Sequence, residues 1–302
     1  MAWYRVRVPA SSANLGPGFD SLGLALDIYL TCRFRKSDYL SIRSCGRDAG
    51  QIPCGSENLI WQTATTVAQN HGMQMPPVEL EIRNEIPIGK GLGSSAAALT
   101  AGVVMADYIL DLGWKPLRIL DEAARLEGHP DNVAPCTLGS IVASAIDSGG
   151  VTRAVRLDLP QRFGIGVVVP DFDLPTSKAR AVLPDTYSRA DAVFNVQRAS
   201  LLIAALAAGS VWAFPVALED RFHQPYRAPL VPGLSEILKL RAPGLLGCVL
   251  SGAGPSILVF YERGYESVCD LVRQIFGLHG HSSETLFANI ALSGFELEKE
   301  RD

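Results

Sequence analysis

Runs of basic residues are missing from this 302-residue chain. Lys and Arg number 27 against 31 Asp and Glu, a net charge of −4. A protein that grips a phosphate backbone by charge alone is therefore excluded, and nucleic acid is not an expected partner. Charged residues make up only 19%, below the roughly 25% of ordinary globular chains. Hydrophobic residues reach 48%, so intrinsic disorder is excluded and a sizeable core is available. The six cysteines (Cys32, Cys45, Cys54, Cys136, Cys248 and Cys269) form no CxxC pair and no close Cys/His cluster. A zinc site of the usual spacing is excluded, a disulfide scaffold is not expected at this length, and the thiols read as reduced in a cytoplasmic protein. The opening MAWYRVRVP lacks the apolar stretch of a secretory leader, so none is expected. An unbroken hydrophobic run is also missing. The most apolar stretch, residues 201–218, is interrupted by Gly209, Ser210 and Pro215, which predicts a buried helix ending near Gly209 and no membrane partner.

What is present alternates strands and helices. Residues 4–8 and 22–30 alternate as half-buried strands. Residues 9–18 between them are too rich in turn formers for a regular element. Residues 57–70 read as a helix and 78–83 as a strand with one wet face. Helices are expected at 94–110 and 115–127, then a strand at 141–145. The chain turns polar around 155–163, which places a soft domain boundary there: residues 1–160, then 161–302. The second half repeats the mixture, with strands at 164–170, 246–250 and 256–261, helices near 176–183, 189–208 and 265–276, and a final strand. Segregated, wet-faced strands favour an α+β class over a doubly wound sheet.

The strongest local signal is Pro87-Ile88-Gly89-Lys90-Gly91-Leu92-Gly93-Ser94-Ser95-Ala96-Ala97. Glycines at alternate positions let the backbone approach a ligand at positive φ. Ser94 or Ser95 then opens a helix whose free amides form an anion site suited to phosphate. Either hydroxyl can also reach a magnesium ion held by the phosphates. Residues 91–96 satisfy the loose dinucleotide-binding pattern GxGxx[GA], but the preceding strand carries Glu and Arg, and the residues about twenty positions on are still helix or turn rather than the end of a next strand. A Walker A loop also fails, because Lys90 is followed by Gly91. A tight strand-to-helix connection with no ligand remains the alternative for this loop on its own.

Three further stretches complete the pattern. Residues 9–20 read PASSANLGPGFD, residues 127–135 read EGHPDNVAP, and residues 251–256 read SGAGPS. With PIGKGLGSSAA, in this order, they resemble the homoserine kinase family of the GHMP kinase superfamily over residues 5–290. The resemblance implies two domains: an N-terminal one like the second domain of ribosomal protein S5, and a ferredoxin-like C-terminal one, with the nucleotide between them. It implies transfer of the γ-phosphoryl of ATP to the side-chain hydroxyl of L-homoserine, on the way to threonine. By motif match, residues 87–97 cradle the phosphates, with Gly89, Gly91, Gly93, Ser94 and Ser95 central. Ser95 and Glu127 hold Mg2+, with Asp121 or Glu122 as substitutes for Glu127. Asn58 lies near the adenine. Gly252 and Gly254 line the far wall, or form an ordinary hairpin turn.

The substrate is a zwitterion, so its ammonium needs a carboxylate and its carboxylate an arginine fork. Asn14 and Asp20 match positions that hold the amino acid, Thr176 falls in the matching stretch, and Arg180 and Arg227 match the pair that takes the carboxylate. Asn132 matches a position near the reacting hydroxyl. Asp131 is the candidate base, since Asn132 cannot be one. A mechanism with no base is the alternative, because positioning and charge neutralisation carry most of a loose phosphoryl transfer. His129 is either an orienting group or a structural donor. Lys90 is expected to add a phosphate contact, or else to be solvated. The resemblance allows a homodimer. A kinase for an isoprenoid or sugar alcohol would leave Asp20, Arg180 and Arg227 without purpose. A non-catalytic sensor should have lost Ser95 or Glu127, and a decarboxylase of the superfamily lacks the HPDN arrangement.

Overall fold

The computed structural model describes residues 2–158 and 162–300. The expected boundary at 160/161 lies outside the described residues. The strands in chain order are β1 (Tyr4–Ala13), β2 (Leu22–Lys36), β3 (Ser41–Gly46), β4 (Val78–Asn84), β5 (Ile141–Ile146), β6 (Thr152–Leu157), β7 (Gly164–Pro170), β8 (Leu245–Leu250), β9 (Ile257–Tyr261), β10 (Ser283–Ala288) and β11 (Glu296–Lys299). A seven-stranded sheet runs β11-β1-β2-β4-β3, with β5 pairing the start of β2 and β6 pairing β5. A four-stranded antiparallel sheet runs β10-β7-β9-β8. The α+β class is as expected: strands segregate into two sheets, and only β3 and β4 run parallel. The last strand returns to the first sheet, where β11 pairs β1.

The helix Ser94–Leu110 passes through the core of the first sheet, and Ala96, Ala97, Ala101, Val103 and Met105 are fully enclosed. Its alanine-rich surface is what permits so deep a burial, because small side chains let neighbouring elements approach. Gly102 makes the same point locally, since a Cβ there would press on Thr63 and the Ile60 carbonyl of the helix Leu59–Asn70.

Two expectations need correction. Residues 9–13 are not a loop; they continue β1 beyond a bulge at Pro9/Ala10 and pair with β2 as far as Ala13↔Gly23. The residues are small and wholly buried, and cross-strand pairing outweighs their turn propensity. The turn begins later, at Asn14, Leu15 and Gly16, all at positive φ. The helix Arg189–Ala208 does end at a left-handed Gly209, as expected. However, it is not buried: Leu202, Ala205 and Leu206 face inward while Val193 and Val196 are exposed. By length and composition it is long and apolar enough to cross a membrane. Strand β6 was missed because its Arg-rich pattern, TRAVRL, resembles a connection.

Candidate active site

Segments from both halves of the chain converge on one cleft of about 460 Å³. It is lined by the sequence-predicted residues Asn14, Asp20, Asn58, residues 87–95, Glu127, His129, Asp131, Asn132, Thr176, Arg180, Arg227, Gly252 and Gly254. Ala96 and Ala97 are the exceptions: their side chains are fully buried in the core, and the Ala97 amide is already bonded to the Gly93 carbonyl. The amides left free at this helix start are those of Ser94, Ser95 and Ala96, which precede the first intrahelical bond.

The glycine loop is held open by its neighbours. Gly89, Gly91 and Gly93 all adopt left-handed φ, at 72°, 77° and 66°. The loop is knitted to the other motifs by backbone pairing. The Ser11 amide donates to the Leu92 carbonyl, Ser251 Oγ donates to the Gly91 carbonyl at 2.7 Å, and the Ser256 amide donates to the Lys90 carbonyl. The Gly252 amide in turn donates to the Ala13 carbonyl. The SGAGPS stretch, the turn of the antiparallel β8–β9 hairpin, thus also forms the facing wall of the cleft.

Lys90 does not point freely at the phosphate position. Its Nζ donates to the Phe172 carbonyl at 2.8 Å and pairs with Asp173 at 2.7 Å. It fastens the loop to the segment that leads into the helix Thr176–Ala181. Asn58 is also committed locally. Its Oδ1 caps the helix Leu59–Asn70 through the Ile60 and Trp61 amides, and its Nδ2 donates to the Pro53 carbonyl.

At the other end of the cleft, charge is concentrated. Arg180 grips Asp20 in a two-pronged pair, Nη1 to Oδ2 at 3.1 Å and Nη2 to Oδ1 at 2.8 Å. Hydrogen bonding to Asp20 raises the Arg180 pKa. Asn14 shapes the turn: its Oδ1 accepts from the Asp20 amide and its Nδ2 donates to the Gly252 carbonyl. Arg227 donates to that same carbonyl at 3.0 Å. It is only 2% exposed, and burial, with repulsion from Arg180, pushes its pKa down to about 10. Among the described residues it has no carboxylate within salt-bridge distance.

The HPDN stretch sits between the two ends. Asp131 is buried, and its Oδ1 lies 2.5 Å from His129 Nδ1. Burial pulls the His129 pKa down, but the hydrogen bond and charge of Asp131 outweigh it and the net direction is up. Asp131 is therefore engaged as the partner of a histidine. Asn132 Oδ1 accepts from Ser11 Oγ at 2.9 Å, beside the spot where a Cβ on Gly93 would collide. Nothing in the sequence singles out Ser11 within its motif; its position becomes visible only once β1 is known to extend past Pro9. Glu127 ends the helix Pro116–Glu127, and its Oε1 accepts from Ser95 Oγ at 3.4 Å. Burial raises its pKa, and His129 opposes that. Two oxygen ligands side by side at a helix start fit magnesium, a hard cation. Asp121 and Glu122 are spent elsewhere, on Arg118, Arg125 and the Thr152 amide.

Known proteins resemble this chain in sequence and in fold. Residues 58–140 match the family profile described as GHMP kinases N terminal domain, and residues 202–268 match GHMP kinases C terminal. A homoserine kinase of Solibacter usitatus is 76% identical over 99% of this chain and 98% of its own length. One of Deinococcus radiodurans is 49% identical over 86% of this chain and 85% of its own. The crystal structure of homoserine kinase from Cytophaga hutchinsonii superposes with a TM-score of 0.84 at 27% identity, covering 99% of this chain and 98% of that one. A Lactococcus lactis galactokinase shares the fold at 16% identity and a TM-score of 0.72, covering 97% of this chain and 95% of its own. With glycine loop, HPDN turn and paired arginines in one cleft, the chain belongs to the homoserine kinases of the GHMP kinase family.

Proposed function

We propose that this chain transfers the γ-phosphoryl group of ATP to the hydroxyl of L-homoserine, giving ADP and O-phospho-L-homoserine, a step toward threonine. The observation that carries the reading is the pairing of poles at one end of the cleft: Asp20 locked to Arg180, beside a buried Arg227 that has no carboxylate within salt-bridge distance among the described residues. A zwitterion satisfies this set by exchange. Its ammonium takes Asp20, and its carboxylate takes Arg180 and Arg227, whose planar forks suit two oxygens. Asn14 holds the turn in place, and Thr176 adds a polar edge.

The hydroxyl is then directed past Asn132 toward the glycine loop, where residues 89–95 hold the triphosphate. The hydroxyl oxygen bonds to γ-phosphorus as the bridging oxygen to β-phosphorus departs with ADP. The hydroxyl proton passes to a phosphoryl oxygen and then to water. Asp131, bound to His129, orients rather than abstracts in this reading, and positioning supplies the rate. Ser95 and Glu127 would hold magnesium, which would neutralise charge on the phosphates. Residues 1–160 are the nucleotide-binding part, and residues 161–302 complete the substrate cleft, apart from the return of β11. The reading implies a cytoplasmic enzyme.

The test is a substrate panel with and without magnesium. ADP release should be fast with L-homoserine and much slower with mevalonate, galactose or L-serine. Equal rates across that panel would defeat the assignment.

A further inference from the structure

Arg227 is buried and cationic, so something neutral must hold it in place until an anion arrives. Three acceptors do so. Its Nε donates to the Ala179 carbonyl at 3.1 Å, and its Nη1 donates to the Gly252 carbonyl and approaches His223 Nδ1, each at 3.0 Å. The two carbonyls are backbone and fixed by the fold. His223 is the one side chain among the three, and it is fully buried.

The tautomer of His223 follows from its neighbours. Nε2 lies 2.8 Å from the Gly16 carbonyl, which can only accept, so Nε2 carries the hydrogen. In a neutral ring, Nδ1 is then a lone pair facing the guanidinium. Burial lowers the His223 pKa and keeps the ring neutral, against the opposing pull of Asp220. The charged groups around it are Asp220, Arg227 and Asp20, with Arg180 on the far side of Phe19. The Phe19 ring stacks on His223 at 5.4 Å and lies under both Arg227 and Arg180. Asp220 fixes the backbone beneath. It accepts from the amides of Phe222, His223 and Gln224 and from Asn195 Nδ2, and so anchors the short helix Gln224–Arg227.

We propose that His223 is a positioning residue: its neutral imidazole aims the Arg227 guanidinium at the substrate carboxylate and ties it, through Gly16, to the turn that carries Asp20. The ring thereby sets the distance between the two poles that an amino-acid substrate must span. It governs recognition of the amino acid and not of the nucleotide. This rests on the reading that Arg227 takes a carboxylate.

Two isosteric variants separate this role from that of a satisfied core histidine. In His223→Asn the amide oxygen replaces the Nδ1 acceptor. In His223→Gln the amide nitrogen replaces the Nε2 donor, and Arg227 loses its partner. Expected for His223→Gln is a KM for homoserine raised about tenfold, with KM for ATP within about twofold, since a hydrogen bond to a charged group is at stake. His223→Asn should recover most of that loss even if its stability falls equally. With 3-aminopropan-1-ol, which lacks the carboxylate, the Gln variant should match wild type. Equal KM shifts in both variants, or no shift in either, overturn the proposal. A defect that persists with the aminoalcohol also overturns it.

Should the variants not fold, wild type decides. Acidification through the depressed pKa of His223 must raise KM for homoserine more than KM for the aminoalcohol, and parallel profiles refute the role. Wild type indifferent to homoserine overturns the substrate reading and this proposal with it. A responsive wild type with an unmoved Gln variant overturns this proposal alone.

Discussion

Gly89 and Gly91 offer a controlled comparison, because both hold left-handed φ, at 72° and 77°, in the same loop. Alanine at either site pays the left-handed penalty of about 1–2 kcal/mol. The sites differ in what the new methyl group meets. At Gly89 nothing lies closer than Asp173 Oδ1 at 3.7 Å, an ordinary contact with an exposed side chain. At Gly91 it would overlap the carbonyl oxygen of Ser251 and that of Gly254, the latter at 2.8 Å. Those are backbone atoms that cannot rotate away. Moving them also strains the hydrogen bonds Ser251 Oγ to Gly91 and Ser256 amide to Lys90. Overpacking of this kind costs about 1–3 kcal/mol more. Gly89→Ala should therefore lose about 1–2 kcal/mol and Gly91→Ala about 2–5 kcal/mol. Urea unfolding of both variants beside wild type measures the difference at constant slope. Equal losses at the two sites would refute the claim that the SGAGPS stretch closes on this loop.

Glu127→Gln should raise the magnesium concentration needed for half-maximal rate while leaving KM for homoserine nearly unchanged; a magnesium titration at fixed ATP checks it, and an unmoved midpoint counts against Glu127 as a ligand. His223 also leaves a mark on acid stability. Its folded pKa is depressed below the 6.5 of an unfolded histidine, so unfolding takes up a proton below that pH. The stability contribution is complete above pH 6.5 and is lost as pH falls toward the folded value. His223→Asn should flatten the decline below pH 6.5 by at most about 1.4 kcal/mol per pH unit, as measured by urea unfolding across the range.

Much of the fold was legible because hydrophobic period survives in the sequence. The helix Ser94–Leu110 and strand β7 fall where the pattern placed them. The site was legible for a different reason: three glycine-bearing loops and the EGHPDNVAP stretch are local, contiguous motifs. Ser11 was not legible, because turn propensity hid the fact that residues 9–13 pair with β2. His223 was hidden as well, since its value lies in facing Gly16, 207 positions away in sequence.

Local chemistry by itself determined where free amides gather at a helix start and which residue types can meet both ends of a zwitterion. Only the packed molecule decided their partners: Lys90 bound to Asp173 instead of pointing free, Asn58 spent on a helix cap, Arg227 buried with no counter-ion among the described residues and leaning on a histidine. The division has a physical cause. Propensity and motif act over a few residues, whereas a side chain's free donors and acceptors depend on which distant segments close around it.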